Sequence, residues 1–163
     1  MIKKEKKAMI EESMQLQGIH HLKFTVSDLE NSQSFYERAI GARRITAYDH
    51  RHSDGSLYAI ILEIPGLGTL LELRLNPSRA KKDCGLDPIT IAVKDRTALE
   101  SWIEHFDTVD IEHSSILTAL ISWLVVFEDP DGRRLRLCTL ETHSPEILSD
   151  ETSSWLIETL TDK

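Results

Sequence analysis

An internal repeat constrains this chain more than any other feature of its sequence. Residues 18–28, GIHHLKFTVSD, lie without a gap over residues 85–95, GLDPITIAVKD, an offset of 67 from Gly18 to Gly85. Both copies alternate apolar and polar residues, the period of a strand with one face buried. Each then changes to a helical period, in LENSQSFYERAI (29–40) and RTALESWIEHF (96–106). Ser27 with Glu30 predicts a capping box for the first helix, and Asp95 predicts the cap of the second. The far ends match too, AIILEIPGLGTLLEL (59–73) over WLVVFEDPDGRRLRL (123–137), with Gly68 over Gly132. Each reads as strand, tight turn, strand. A further strand is expected between helix and hairpin, RRITAYDH (43–50) in the first half and DIEHSSIL (110–117) in the second. The chain is therefore α+β, with two tandem β-α-β-β-β modules, 18–77 and 84–142, in one domain spanning 18–142. Residues 1–17 are a charged extension. Residues 143–163 are a Ser/Thr-rich acidic tail, in which SSWLIETL (153–160) suits a short amphipathic helix docking Trp155, Leu156 and Leu160 on the body or a partner.

Bulk properties narrow the function classes. At 163 residues the chain suits one domain, or two small modules sharing a core. No apolar run approaches the roughly 20 residues that cross a bilayer, and the start lacks the apolar region of a secretory signal, so no membrane role is expected. Cys84 and Cys138 have neither metal-binding nor disulfide-framework spacing, which suits a reduced, cytoplasmic protein. A net charge of −8 argues against nucleic acid as the partner.

Two stretches carry a resemblance. HHLKFTVSDLENSQSFYERAIGA (20–42) resembles the opening of the vicinal oxygen chelate superfamily, the glyoxalase, bleomycin-resistance and dioxygenase-like proteins, and FEDPDGRRLRL (127–137) resembles its closing hairpin. The resemblance implies paired modules whose curved mixed sheets form a cup with helices outside, within one chain or between swapped chains, and it implies that homodimers are common. In metal-using members it implies four ligand positions, the histidine opening the first strand and the glutamate in the last strand of each module. Here these fall on His21 and Glu72 in the first module and on Pro88 and Arg136 in the second. Proline has no ligand atom and a guanidinium stays protonated, so half of that set is missing. A divalent metal would need a further donor from His20, His50, His52, Asp87, His113 or Glu128. His20 otherwise reads as an exposed strand start, and His50 and His52 as loop residues. No cofactor is expected. The bleomycin-resistance branch resembles this chain in carrying DPDG followed by arginine.

Strand alternation assigns faces. Lys23 and Thr25 go with His21; Leu70 and Arg74 with Glu72; Thr90 with Pro88; Arg134 and Cys138 with Arg136. Leu22, Phe24, Val26, Leu71, Leu73, Leu135 and Leu137 face the helices. The cup then carries Lys23, Arg74, Arg134 and Arg136 against one carboxylate, a local positive potential within an acidic protein. Glu72 and Arg136, as equivalents across one cup, are expected to pair. Tyr58 and Trp123, which either pack in the core or stack on a ligand, complete the candidate site. Two functions follow. One is a metal-independent protein binding or sequestering a small anionic metabolite or antibiotic. The other is a glyoxalase-like lyase or isomerase, with His21 or Glu72 as general base, Arg136 holding the oxyanion, and a metal only if a non-standard ligand completes it.

Overall fold

The structure is a computed structural model that describes residues 14–157. The first module comprises β1 (His21–Val26), α1 (Leu29–Ile40), β2 (Arg43–Arg44), β3 (His50–Arg51), β4 (Leu57–Glu63) and β5 (Leu70–Leu75). A short helix, α2 (Pro77–Lys82), links it to β6 (Ile89–Val93), α3 (Arg96–Thr108), β7 (Leu117–Thr118), β8 (Trp123–Glu128) and β9 (Arg134–Thr139). The repeat is visible in the pairing. Opening and closing strands run parallel, β1 with β5 and β6 with β9, and the hairpins β4–β5 and β8–β9 are antiparallel. The order is β1-β5-β4-β2 with β3 also on β4, and β6-β9-β8-β7. The protein is thus a mixed α+β fold of two open sheets.

One hydrophobic core joins the modules. It takes Phe24 and Val26 of β1, Leu71 and Leu73 of β5, Val125 and Phe127 of β8, and Leu135 and Leu137 of β9, with Phe35, Leu99 and Phe106 of the helices. Phe35 of α1 stacks on Phe127 of the second module, ring centroids 6.3 Å apart, and the Arg38 carbonyl of α1 lies 2.9 Å from His105 Nε2 of α3. Each helix covers the apolar side of its own sheet, as expected. These apolar sides share one core, because burying both together removes the most apolar surface from water. The polar faces therefore lie on two separate sheets.

The junction is sealed by Arg133, only 2% exposed. Its guanidinium pairs with buried Asp129, donates to the Thr25 carbonyl at 2.7 Å and sits 4.6 Å over the Phe24 ring. Tyr36 of α1 donates its hydroxyl to Asp129 at 2.9 Å. Burial, reinforced by the Asp129 charge, pushes the Tyr36 phenol well up. This network follows from the DPDG turn, in which Asp129 also accepts from the backbone N–H of Asp131 and Arg133, and Gly132 takes a positive φ of 77°.

Local expectations are corrected at four places. The cap of α1 is Asp28, accepting from Asn31 N–H at 2.8 Å, while the Ser27 N–H turns to the Asp131 carboxylate. Asp95 caps α3 as expected. RRITAYDH is no continuous strand, because Asp49 draws Arg44 and Arg51 onto one carboxylate and a 3-10 turn at Thr46–Tyr48 divides β2 from β3. DIEHSSIL is strand only at its end, since Asp110 takes a φ of 56° and Ser114 Oγ accepts the Val126 N–H that a ladder would use. In the tail, residues 153–157 form a single turn in which the Leu156 and Ile157 N–H groups reach the Ser153 carbonyl; Leu160 lies outside the described residues.

Candidate functional site

The polar face of the first sheet centres on Glu72, 2% exposed. Alternation in β5 turns Glu72 and Arg74 away from the core, and the parallel register sets Lys23 of β1 against Glu72. Arg74 Nε donates to Glu72 at 2.6 Å, His21 Nε2 lies 3.3 Å from the other carboxylate oxygen, and Lys23 Nζ lies 3.7 Å away. Burial raises the Glu72 carboxyl. The hydrogen bond and charge of Arg74, with the charges of Lys23 and His50, outweigh it and hold the group below the usual glutamate range. Beside this cluster opens a cavity of about 560 Å³, lined by His20, His21, Tyr48, His50, Ile61 and Glu72 among others. His20 Nδ1 lies 2.9 Å from His21 Nδ1, so one ring donates to the other. His50 Nδ1 is buried with no hydrogen-bond partner among the described residues.

Tyr58 reaches the same face by a register shift. His50 pairs with Ala59 and Arg51 with Leu57, so Tyr58 is the extra residue of a β-bulge. Its ring lies under the Arg74 guanidinium at 5.3 Å and 4.6 Å from the His52 ring. His50 is the cavity residue that the loop reading missed. The signal was present, because Asp54-Gly55 between HRH and SLY marks a tight hairpin that sets β3 against β4.

The second sheet differs. Arg136 pairs with Asp87, not with Glu72, which corrects the expected pair: the shared core leaves the two polar faces on separate sheets, so each charge finds its partner within its own module. The Nε of Arg136 is buried and has no hydrogen-bond partner among the described residues. Arg134 bonds Glu128 through Nε at 3.1 Å. Through one terminal nitrogen it bonds the carbonyls of Ser154, Trp155 and Ile157 at 3.0 to 3.2 Å. It holds the tail of its own chain. Trp123 is not on this face; alternation places it with Val125 and Phe127 on the core side, with the His143 ring 5.0 Å away. Its core-packing reading is the correct one. The site residues thus fall into a first group, His21, Lys23, Tyr58, Glu72 and Arg74, and a second, Arg134 and Arg136.

A family-type metal site fits these residues poorly. His21 and Glu72 supply two donors and lie together, whereas Pro88 offers none and Arg136 is a cation engaged with Asp87. Among the described residues no group of three or more His, Cys, Asp or Glu side chains is arranged to hold a metal ion.

Comparison with known proteins agrees with this architecture. The family model described as "Glyoxalase/Bleomycin resistance protein/Dioxygenase superfamily" matches residues 18–137. The putative ring-cleaving dioxygenase MhqA of Bacillus subtilis (strain 168) is 26% identical over 129 residues, 76% of this chain, which spans only 40% of that relative's length. Among solved structures, TnmS3, an antibiotic-binding protein from Streptomyces sp. CB03234, matches with a TM-score of 0.59 at 16% identity, over 77% of this chain and 98% of its own. A mutant of FosX, a fosfomycin resistance protein from Listeria monocytogenes, complexed with Mn(II) and 1S,2S-dihydroxypropylphosphonic acid, matches with a TM-score of 0.59 at 17% identity, over 76% and 90%. At these identities the structural matches speak for the fold alone.

Proposed function

The chain belongs to the glyoxalase/bleomycin resistance protein/dioxygenase superfamily, and from that premise we propose that it is a metal-independent small-molecule-binding protein that binds or sequesters an anionic metabolite or antibiotic. One observation carries the reading. Arg74 and Lys23 converge on a single carboxylate, Glu72, beside a cavity of about 560 Å³. That volume lies within the range of small-molecule sites, roughly 300–1,000 Å³. Two cations stand against each carboxylate of the cavity wall, Arg74 and Lys23 against Glu72, and Arg44 and Arg51 against Asp49. Arg74 spends only its Nε on Glu72, so the rest of its fork is available to a carboxylate or phosphonate. Tyr48 and the imidazoles supply the flat walls and polar handles on which such a ligand would orient. TnmS3 and FosX, one antibiotic-binding and the other complexed with a phosphonate, support the ligand class by analogy. Metal independence is supported by the missing second half of the donor set. Calorimetric titration of methylphosphonate and of small carboxylates tests the reading. Binding is expected to survive chelation and to weaken at least tenfold in Arg74→Ala; unchanged affinity in that variant would remove the first-module face from the site.

A second reading is favoured by the His21–Glu72 contact. An imidazole held 3.3 Å from a buried carboxylate is the arrangement of a general base whose imidazolium is stabilised once formed. His21 would take a proton from a carbon beside a carbonyl or carboxylate, and Arg74, in place of Arg136, would neutralise the developing oxyanion. His21→Ala would then bind the ligand with unchanged affinity and lose turnover; retained turnover would discard the lyase or isomerase.

A further inference from the structure

The polar face of the second sheet is already occupied. Val125 and Phe127 of β8 enter the common core, so Leu124 and Val126 point the other way, onto the face that carries Arg134, Arg136 and Cys138. There Leu124, Val126 and Leu117 form a separate buried cluster, and Cys138, Trp155 and Leu156 pack against it. The tail is tied across this face at both ends of the contact. Asp150 accepts the Thr118 N–H at 2.7 Å, and its own N–H donates to the Thr118 carbonyl at 2.8 Å. Arg134 gathers the carbonyls of Ser154, Trp155 and Ile157, with its guanidinium 5.9 Å from the Trp155 ring centre. Val126 is the cross-strand neighbour of Arg136. Trp155 and Leu156 therefore pack on a cluster that borders Arg136 through Val126, and the buried Nε of Arg136 lacks an acceptor among the described residues.

We propose that residues 144–157 are an intrasteric strap that competes with a small oxyanion for the second-module face, the anion taking Arg134 and the vacant donor of Arg136 once the strap leaves. Three carbonyl oxygens share one terminal nitrogen of Arg134, one arm of the fork that would otherwise take carboxylate or phosphate oxygens. Trp155 and Leu156 bury apolar surface on β8, which sets the strength of the hold. The inference rests on the anionic-ligand reading above, and it adds that occupancy of the second face is controlled by the chain's own tail.

The test uses the full chain with inorganic phosphate as the probe, and reads the strap through Cys138, which packs against the same apolar cluster as Trp155 and Leu156. Alkylation of Cys138 is resolved from that of exposed Cys84 by peptide mass spectrometry. Trp155→Ala/Leu156→Ala is expected to raise the Cys138 rate at least tenfold and to tighten phosphate binding at least fivefold, a gain that Arg136→Ala abolishes in that background. Saturating phosphate is expected to raise the Cys138 rate of the unaltered protein severalfold. A freed Cys138 with unchanged phosphate affinity would overturn the proposal, as would phosphate protection of Cys138. Should the double variant fold poorly, Asp150→Asn, which weakens the other tie, is expected to give the same changes in smaller measure, and the phosphate effect on the unaltered protein needs no variant. Arg74→Ala separates the two readings. If it removes phosphate binding and strap variants do nothing, the strap idea fails alone; if it does nothing while strap release creates a site dependent on Arg136, the first-module assignment fails alone.

Discussion

On the first sheet, the strand that closes the module presents Glu72 between Lys23 and Arg74 and stays open beside a cavity; on the second, the equivalent strand presents Arg136 and lies beside the chain's own tail. The same alternation of residues produced both faces. What differs is the residue at one register position. A carboxylate there gathers cations from its own strand and from β1, whereas an arginine there recruits Asp87 from before β6 and keeps a buried donor with no acceptor among the described residues. Neither charge crosses to the other module, because the apolar sides of both sheets are welded into one core through Arg133, Asp129 and Tyr36. The pair teaches that pseudo-symmetry fixes which side of a strand a residue occupies without fixing what lies opposite.

The comparison breaks most sharply at the weld. Arg133→Ala removes one partner of a buried ion pair and is expected to cost about 3–5 kcal/mol, read as a lowered midpoint in urea denaturation. A loss below about 1 kcal/mol would mean that the modules are held by apolar packing alone. Next in size is the hold of the tail. Trp155→Ala is expected to cost about 1–3 kcal/mol by lost apolar burial, with hydrogen exchange accelerated in β7 and β8 but not in β4 and β5. Exchange that accelerates equally in both sheets would deny that the tail belongs to the second face only.

These two predictions concern residues that the sequence made hard to read. The doubled module, both hairpins, the cap at Asp95 and the facing of Glu72, Arg74 and Arg136 were legible, because period-two alternation and a Pro-Gly or Asp-Gly turn are local signals. Arg133 was not, since it precedes the strand and its burial depends on Thr25 and Phe24, more than 100 residues away. Tyr58 reaches the polar face through a bulge, which no alternation rule anticipates. Trp123 obeys alternation and so belongs to the core. The seating of Trp155 and Leu156 was anticipated as docking on the body or a partner, and the face beneath them depends on which side of β8 the common core claims.

Smaller effects sharpen the contrast in charge. Glu72→Gln removes the carboxylate that Arg74 and Lys23 share, and is expected to tighten methylphosphonate binding severalfold, whereas Asp87→Asn should leave first-face binding unchanged. The Glu72 carboxyl also gives a pH signature. Its folded value lies below the ordinary one, about 4.3, so its contribution to stability is complete above that value and is lost as pH falls through the lowered folded value. Urea midpoints measured between pH 6 and pH 3 should therefore fall less steeply in Glu72→Gln than in the unaltered protein. Parallel curves would show that the carboxylate gains nothing from Arg74 and Lys23 on folding.

The central claim is an anion site built from protein cations without a metal, and calorimetric titration of methylphosphonate before and after exhaustive dialysis against a chelator addresses it directly. The same affinity is expected in both preparations, with at least a tenfold loss in Arg74→Ala. Binding that disappears on chelation and returns with Mn(II) would contradict it.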